Sequence, residues 1–266
     1  MRLLCFSDVH GNIDALKAML VDVHRRGVHY DAYIFAGDMT NMSSLKKTDY
    51  EKQQLESRFG KKPRITKAYK AYLAERNARY FKESERTARK ILAILAEEKV
   101  PLYYIFGNRD RNGGYDLGTV KDLFNSEYSI CLDQVRKAPI KDGIFISNDE
   151  RRVDRHTIFI QHSPGKKDAS YRILTKSLLH ITGHTHQAMI YDHYLNTGFL
   201  YRDETRGAQP MLGGYFDVTI HKGKLTGITF NRLGRVHERK FEQNDIRGTV
   251  YSAYRSYFPF KLTFSK

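Results

Sequence analysis

Five short apolar runs punctuate the chain: Leu3 to Phe6, Ala32 to Phe35, Leu102 to Phe106, Thr157 to Ile160, and Leu178 to Ile181. Each gives way at once to a polar or glycine-containing turn, and runs of this length with such borders predict buried strands. After the first run, Asn12 is a good helix cap, and Ile13, Leu16, Leu20 and Val23 recur at helical spacing. A helix is therefore predicted from about Asn12, ending at Gly27. Strand, turn and helix in repetition are the signature of α/β layering.

A long polar stretch follows Asp38. From Pro63 to Lys99, Ile65, Tyr69, Tyr72, Leu73, Tyr80, Ile91, Leu92 and Leu95 then fall on one helical stripe. Pro63 suits the start of a helix and Pro101 its stop. Asp38 and Gly107 are 107 − 38 = 69 residues apart, about twice what a compact α/β connection needs. Residues 43–99 are thus expected to form a helical insertion. Beyond Ile140 the pattern turns to short alternating strands, including Gly143 to Ser147, Tyr215 to Ile220 and, after a turn at Gly223, Leu225 to Asn231, which predicts a second sheet. The expected organisation is one domain over residues 1–240 carrying that insertion, with an aromatic and basic tail, 241–266, docked on the body.

Composition narrows the class. Of 266 residues, 41% are hydrophobic and 28% charged, the balance of a globular chain and not of a disordered one. Cys5 and Cys131 form no CxxC or CxxxC pair, so a thiolate metal site is excluded and free thiols in a reducing compartment are expected. The apolar run after Met1 and Arg2 is too brief for a signal-peptide core, and no stretch is long enough to span a membrane. A cytoplasmic protein is expected. The formal charge of +15 favours anionic partners. Residues 43–99 hold 16 Lys/Arg against 8 Asp/Glu, a net of +8, which leaves nucleic acid open as a partner of the insertion.

Five motifs carry the candidate chemistry: Asp8-Val9-His10, Gly37-Asp38, Gly107-Asn108-Arg109-Asp110, His162 after Gln161, and Gly183-His184-Thr185-His186. Each alone is weak. Together they are informative because every one follows a predicted buried strand, where α/β sheets place ligand sites. Asp8, His10, Asp38 and His186 can hold one metal; Asp38, Asn108, His162 and His184 can hold a second if Asp38 bridges the pair. Oxygen and imidazole donors without thiolates suit Mn, Fe, Zn, Co or Ni rather than Mg or Ca. Two divalent ions bring +4 and two carboxylates remove 2, leaving a net attraction for phosphate. Ions ~3.5–4 Å apart lower the pKa of a water toward ~7 and clamp both oxygens of an in-line displacement. His24, His29, His156, His180, His193, His221 and His237 lack motif context and are read as ordinary.

In this order, the five motifs resemble those of the calcineurin-like metallophosphoesterases, and they cover the chain from Asp8 to His186. The resemblance implies a four-layer α/β/β/α sandwich with the dimetal centre at the strand ends. Gly37-Asp38-Met39-Thr40-Asn41 lacks the G-D-x-x-D-R-G pattern of the protein serine/threonine phosphatases, so the small prokaryotic phosphodiesterases are the nearer branch. Asn196-Thr197-Gly198 resembles their N-P-G turn, with Thr197 departing from it.

Arg109 stands where most members of that family have a histidine that protonates the leaving group. Arginine cannot donate a proton at neutral pH, but its planar fork pairs well with phosphate oxygens. The G-N-R-D form also resembles the UDP-diacylglucosamine pyrophosphatases, where the arginine contacts substrate phosphate. Arg109 and Asn108 are therefore expected to bind phosphate, and Asp110 to orient Arg109 or a ligand histidine. The resulting expectation is metal-dependent hydrolysis of a phosphodiester or phosphoanhydride in a nucleotide-like substrate. The alternatives are a nuclease and, less favoured, an interaction scaffold that keeps the fold without effective chemistry.

Overall fold

A computed structural model describes residues 1–41, 49–60, 66–112, 114–124, 126–163, 170–174, 176–186, 188–200, 213–233, 238–242, 251–252 and 261–265. The remainder of the polar stretch before the first insertion helix, the Pro63 start and most of the 241–266 tail lie outside these residues.

Two seven-stranded sheets form the body. At the centre of the first, β1 (Arg2–Phe6), β2 (Ala32–Phe35) and β3 (Leu102–Tyr104) run parallel. Ser129–Cys131 extends the sheet at the β3 edge, and the antiparallel strands Gly214–His221, Lys224–Arg232 and Glu238–Glu242 extend it beyond β1. In the second sheet, Ile144–Ser147, Thr157–Ile160, Leu179–Thr182 and Tyr194–Thr197 are mutually parallel, flanked by Lys137–Lys141, Ala188–Tyr191 and Tyr251–Ser252.

Side-chain alternation explains why the central strands read as continuous apolar runs. Leu3, Cys5, Ala32, Ile34 and Tyr103 point to the second sheet, where they meet Ile146, Ile158, Ile160, Leu179 and Ile181. Leu4, Phe6, Tyr33, Phe35, Leu102 and Tyr104 point the other way, onto helices. With both faces buried, no polar position is left to mark a period of two. The helical layer is supplied by the crossovers. Helix α1 (Ile13–Arg26) is capped by Asn12, whose side chain accepts from Ala15 N at 3.0 Å, and Gly27 closes it. It buries Leu16, Met19, Leu20 and Val23, each contributing roughly 1.5–3 kcal/mol of apolar burial.

The connection from β2 to β3 contains two helices, where the sequence pattern predicted one. α2 (Asp49–Phe59) forms within the polar stretch, and α3 (Lys67–Glu97) has Thr66 as its cap. Tyr80, Ser84, Ala88, Ile91, Leu92 and Leu95 of α3 are buried, so its second half is the crossover helix that lies on the sheet. Its first half carries no buried residue from Lys67 to Arg79. There α2 folds back on it, with the Phe59 ring 5.3 Å from Tyr69 and 5.6 Å from Tyr72. On the outer face of the second sheet, Phe159 packs with Val153 and Leu174. Leu174 ends the strand Ser170–Leu174, which pairs in parallel with Lys261–Ser265 of the tail.

Candidate metal centre

Six strands end at one place. The loops after β1, β2, β3, Thr157–Ile160, Leu179–Thr182 and Tyr194–Thr197 carry Asp8 and His10, Asp38, Asn108, His162, His184 and His186, and Gly198 respectively. This is the carboxyl edge of the parallel strands in both sheets, the usual position of ligand sites in α/β folds.

Two clusters result. The ligand atoms of Asp8, His10 and His186 lie within 4.8 Å of one another, as do those of Asp38, His162 and His184. In the first, His10 Nε2 is 3.0 Å from His186 Nε2 and 3.5 Å from Asp8 Oδ1, which is 3.2 Å from His186 Nε2. In the second, His162 Nε2 is 3.2 Å from Asp38 Oδ1 and 3.0 Å from Asn108 Oδ1, and His184 Nδ1 is 2.7 Å from the same Asn108 oxygen. The other Asp38 oxygen, Oδ2, faces His10 Nε2 at 3.7 Å. One carboxylate thus reaches both clusters. All seven sequence-predicted ligands converge.

The donor set fits two cations. Ligand atoms around a tetrahedral ion with ~2.1 Å bonds sit about 3.4 Å apart, and the observed spacing brackets that value. Asp8 Oδ1 is buried and has no hydrogen-bond partner among the described residues, as expected of an oxygen reserved for a positive charge. His162 Nδ1 donates to Ala36 O at 2.9 Å, which turns the Nε2 lone pair toward Asp38 and Asn108. The carboxylates and the burial also bias how the facing rings titrate. The His162 ring is buried, which lowers its proton affinity, yet the Asp38 hydrogen bond and the charges of Asp8 and Asp38 raise its pKa to about 9. Burial works against a charged Asp8, but the facing His10 and His186 rings, with the charge of His162 beyond them, hold its carboxyl well below the usual range. Burial, followed by repulsion from His162, lowers the pKa of His184.

Backbone geometry is spent on this convergence. Asp8, His10, Asp38, His184 and His186 all adopt left-handed conformations, with φ of 52°, 49°, 55°, 72° and 57°. Each costs on the order of 1–3 kcal/mol for a residue with a Cβ, and such strain concentrates at functional sites. Two motif glycines allow the loops to touch. A Cβ on Gly107 would fall 2.1 Å from Asp38 Oδ1, and one on Gly183 would fall 2.5 Å from Asp8 Oδ2.

Supporting residues tie the loops together. The fully buried Asp110 carboxylate accepts from Gly107 N at 2.8 Å, Thr40 N at 2.7 Å, Thr40 Oγ1 at 2.8 Å and Met39 N at 3.2 Å. Burial and then the nearby Asp38 charge push its pKa up to about 6. Its hydrogen bonds go to the main chain of two ligand loops and to Thr40, so it ties the Asp38 loop to the Gly107 loop. Arg109 donates its backbone N–H to Asp38 Oδ1 at 2.7 Å. Sequence reasoning missed Ser7, Asn196 and Thr197 as supports. Ser7 Oγ hydrogen-bonds Asp8 Oδ2, Thr197 Oγ1 meets Ser7 Oγ at 2.6 Å, and Asn196 Nδ2 donates to Gly183 O at 3.0 Å. Their signal was the Asn196-Thr197-Gly198 turn, legible only as a resemblance.

A cavity of about 680 Å³ opens beside the second cluster, and its lining includes Asn108, His162, Arg111, Asp133, Arg136 and Asn148. Its volume is that of a small-molecule site.

Among solved structures, the chain is similar to YfcE, a phosphoesterase from E. coli, at 13% identity, covering 92% of this chain and 100% of that one with a TM-score of 0.40. It is also similar to a Vps29 single mutant from Entamoeba histolytica (11% identity, 96% and 100% covered, TM-score 0.39) and to a metallophosphoesterase from Sphaerobacter thermophilus (16% identity, 90% of each chain, TM-score 0.40). No curated protein matches the sequence. The sequence profile of the calcineurin-like phosphoesterases matches residues 1–188, the span that holds every ligand of both clusters. The chain belongs to the calcineurin-like phosphoesterase family, metal-dependent hydrolases of phosphoric esters that work with a dinuclear divalent centre.

Proposed function

We propose that the chain hydrolyses a phosphodiester or phosphoanhydride bond in a small, nucleotide-type substrate. The observation that carries this reading is Asp38, whose two oxygens face different clusters at 3.7 and 3.2 Å. When bound, two divalent ions, with Mn favoured and Fe, Zn, Co and Ni compatible with the same donors, supply the positive charge and water activation that attack at phosphorus requires.

The chain's own residues do the rest. Asp8, His10 and His186 fix one position, Asn108, His162 and His184 the other, and Asp38 sets their separation. Arg109 pairs with a non-bridging phosphate oxygen beside Asn108. Because a guanidinium gives up no proton at neutral pH, the preferred leaving group is one that needs none, such as phosphate or an acidic phenol. Asp110 keeps the Asp38 and Asn108 loops in register. The adjoining cavity has the volume of a small-molecule site, which favours a small substrate.

One observation favours a nuclease as second reading: Lys67, Lys70, Lys82, Arg86 and Lys90 are exposed along α3, within the basic 43–99 segment. We also retain 1–240 as one unit, with 43–99 inserted in it and 241–266 docked upon it. Cytoplasmic residence is in keeping with two buried, unpaired cysteines, Cys5 and Cys131; no described helix is long and apolar enough to cross a membrane.

A panel of mononucleotide esters, nucleoside diphosphate compounds and single- or double-stranded oligonucleotides, assayed with Mn, tests the proposal. Turnover of the small compounds with no salt-dependent oligonucleotide binding is expected. Cleavage confined to oligonucleotides, with affinity falling steeply as salt rises, would replace it with the nuclease.

A further inference from the structure

Part of the cavity wall is built by the turn after Leu132–Val135 and the end of the strand Ile144–Ser147. Two polar groups there have no partner among the described residues. Asn148 Oδ1 is buried and accepts no hydrogen bond, although Asn148 Nδ2 is pinned to Asp133 Oδ1 at 2.9 Å. Asp133 Oδ2 in turn accepts from Phe106 N at 2.8 Å, immediately before the Gly107 loop. The amide is therefore held with its donor side on Asp133, which fixes the end of the strand against the Phe106 backbone.

The second group is Arg136. No hydrogen bond or ion pair engages its guanidinium among the described residues, whereas Arg111 on the same cavity is neutralised by Asp116, with Nε 3.0 Å from Oδ2. The Arg136 backbone is left-handed, with φ of 68°, and is held there by three bonds. Its N–H donates to Leu132 O at 2.8 Å, and its carbonyl accepts from Asn148 N at 3.1 Å and Ser147 Oγ at 2.8 Å. A residue with a Cβ is kept in strained backbone at this position, although glycine would relieve it. Both oxygens of the neighbouring Asp133 carboxylate are occupied by N–H donors.

We propose that this wall is a second recognition subsite. It takes an anionic group of the substrate at Arg136, which is exposed on the cavity, so the substrate carries a further phosphate or carboxylate beyond the phosphate that is cleaved. The proposal rests on the phosphoesterase reading and names the substrate class within it.

Calorimetric titration of the Mn-loaded full chain tests it. ADP should bind about tenfold or more tightly than AMP, Arg136→Gln should bring the two affinities together, and Arg136→Lys should restore part of the difference. A parallel pair, 3-phosphoglycerate against glycerol 3-phosphate, separates a carboxylate from a phosphate as the second anion. A preference in either pair that Arg136→Gln abolishes supports the subsite. No preference in either pair, or one that survives Arg136→Gln, overturns it. Hydrolysis of bis(p-nitrophenyl) phosphate by the unmutated protein reports the phosphoesterase reading separately. Preference without turnover removes that reading and keeps the subsite, and turnover without preference does the reverse.

Discussion

The Gly107 backbone lies so close to Asp38 that a Cβ on residue 107 would sit 2.1 Å from Asp38 Oδ1 and 2.5 Å from Asp38 N. Neither neighbour can yield cheaply, since one is main chain and the other is the shared ligand. Gly107→Ala should therefore displace the Asp38 carboxylate while leaving both sheets intact. Turnover should fall by about a hundredfold or more and bound metal should drop below two ions per chain, measured by elemental analysis alongside an unchanged far-ultraviolet circular dichroism spectrum.

Asp110 is expected to matter to the metal-free fold as well as to the enzyme. Truncation to alanine strands the buried N–H groups of Gly107 and Thr40, each costing about 1–3 kcal/mol. Asp110→Ala should lower metal-free stability by about 2–4 kcal/mol, read from urea midpoints. A loss confined to the metal-loaded protein would assign Asp110 to chemistry instead.

Arg109→His tests the leaving-group argument. An imidazole at this position can protonate an alkoxide, which a guanidinium cannot. The ratio of alkyl-ester to anhydride turnover should rise by about tenfold or more in steady-state assays, and an unchanged ratio would free Arg109 from setting this preference.

How much of this was visible beforehand follows from what each residue must do. Asp8, His10, Asp38, Asn108, His162, His184 and His186 were legible because each follows a buried apolar run, and the strand ends bring them together. The role of Asp110 was not legible: its bonds reach Met39 and Thr40, 71 and 70 residues away, a contact that no local pattern encodes. α2 was missed because its Phe59 packs on another helix, against Tyr69 and Tyr72, in a segment whose sequence is a polar run without a stripe. The Asn148 and Arg136 wall was equally hidden, since it depends on a turn whose residues carry no motif.

A buried histidine outside the site sets a pH response. His180 is wholly enclosed, its Nδ1 accepts from Leu174 N at 3.2 Å, and Nε2 meets the Gln161 side-chain amide at 3.0 Å. Burial, with a smaller push from His193, lowers its pKa to about 3. The unfolded chain thus binds the extra proton first. The contribution of the neutral ring is fully present above an unfolded pKa of about 6.5 and is lost as pH falls from there toward 3. The slope approaches about 1.4 kcal/mol per pH unit. His180→Gln should flatten the decline in urea midpoint between about pH 6 and 4, and a parallel decline would show that the ring takes up its proton without unfolding.

The shared carboxylate is tested most directly by electron paramagnetic resonance of the Mn-loaded protein, with metal content measured on the same sample. Two Mn ions per chain giving an exchange-coupled spectrum, which Asp38→Ala converts to an uncoupled one or to loss of metal, is the expected result. One ion per chain, or two ions that show no coupling in the unmutated protein, would contradict a bridge at Asp38.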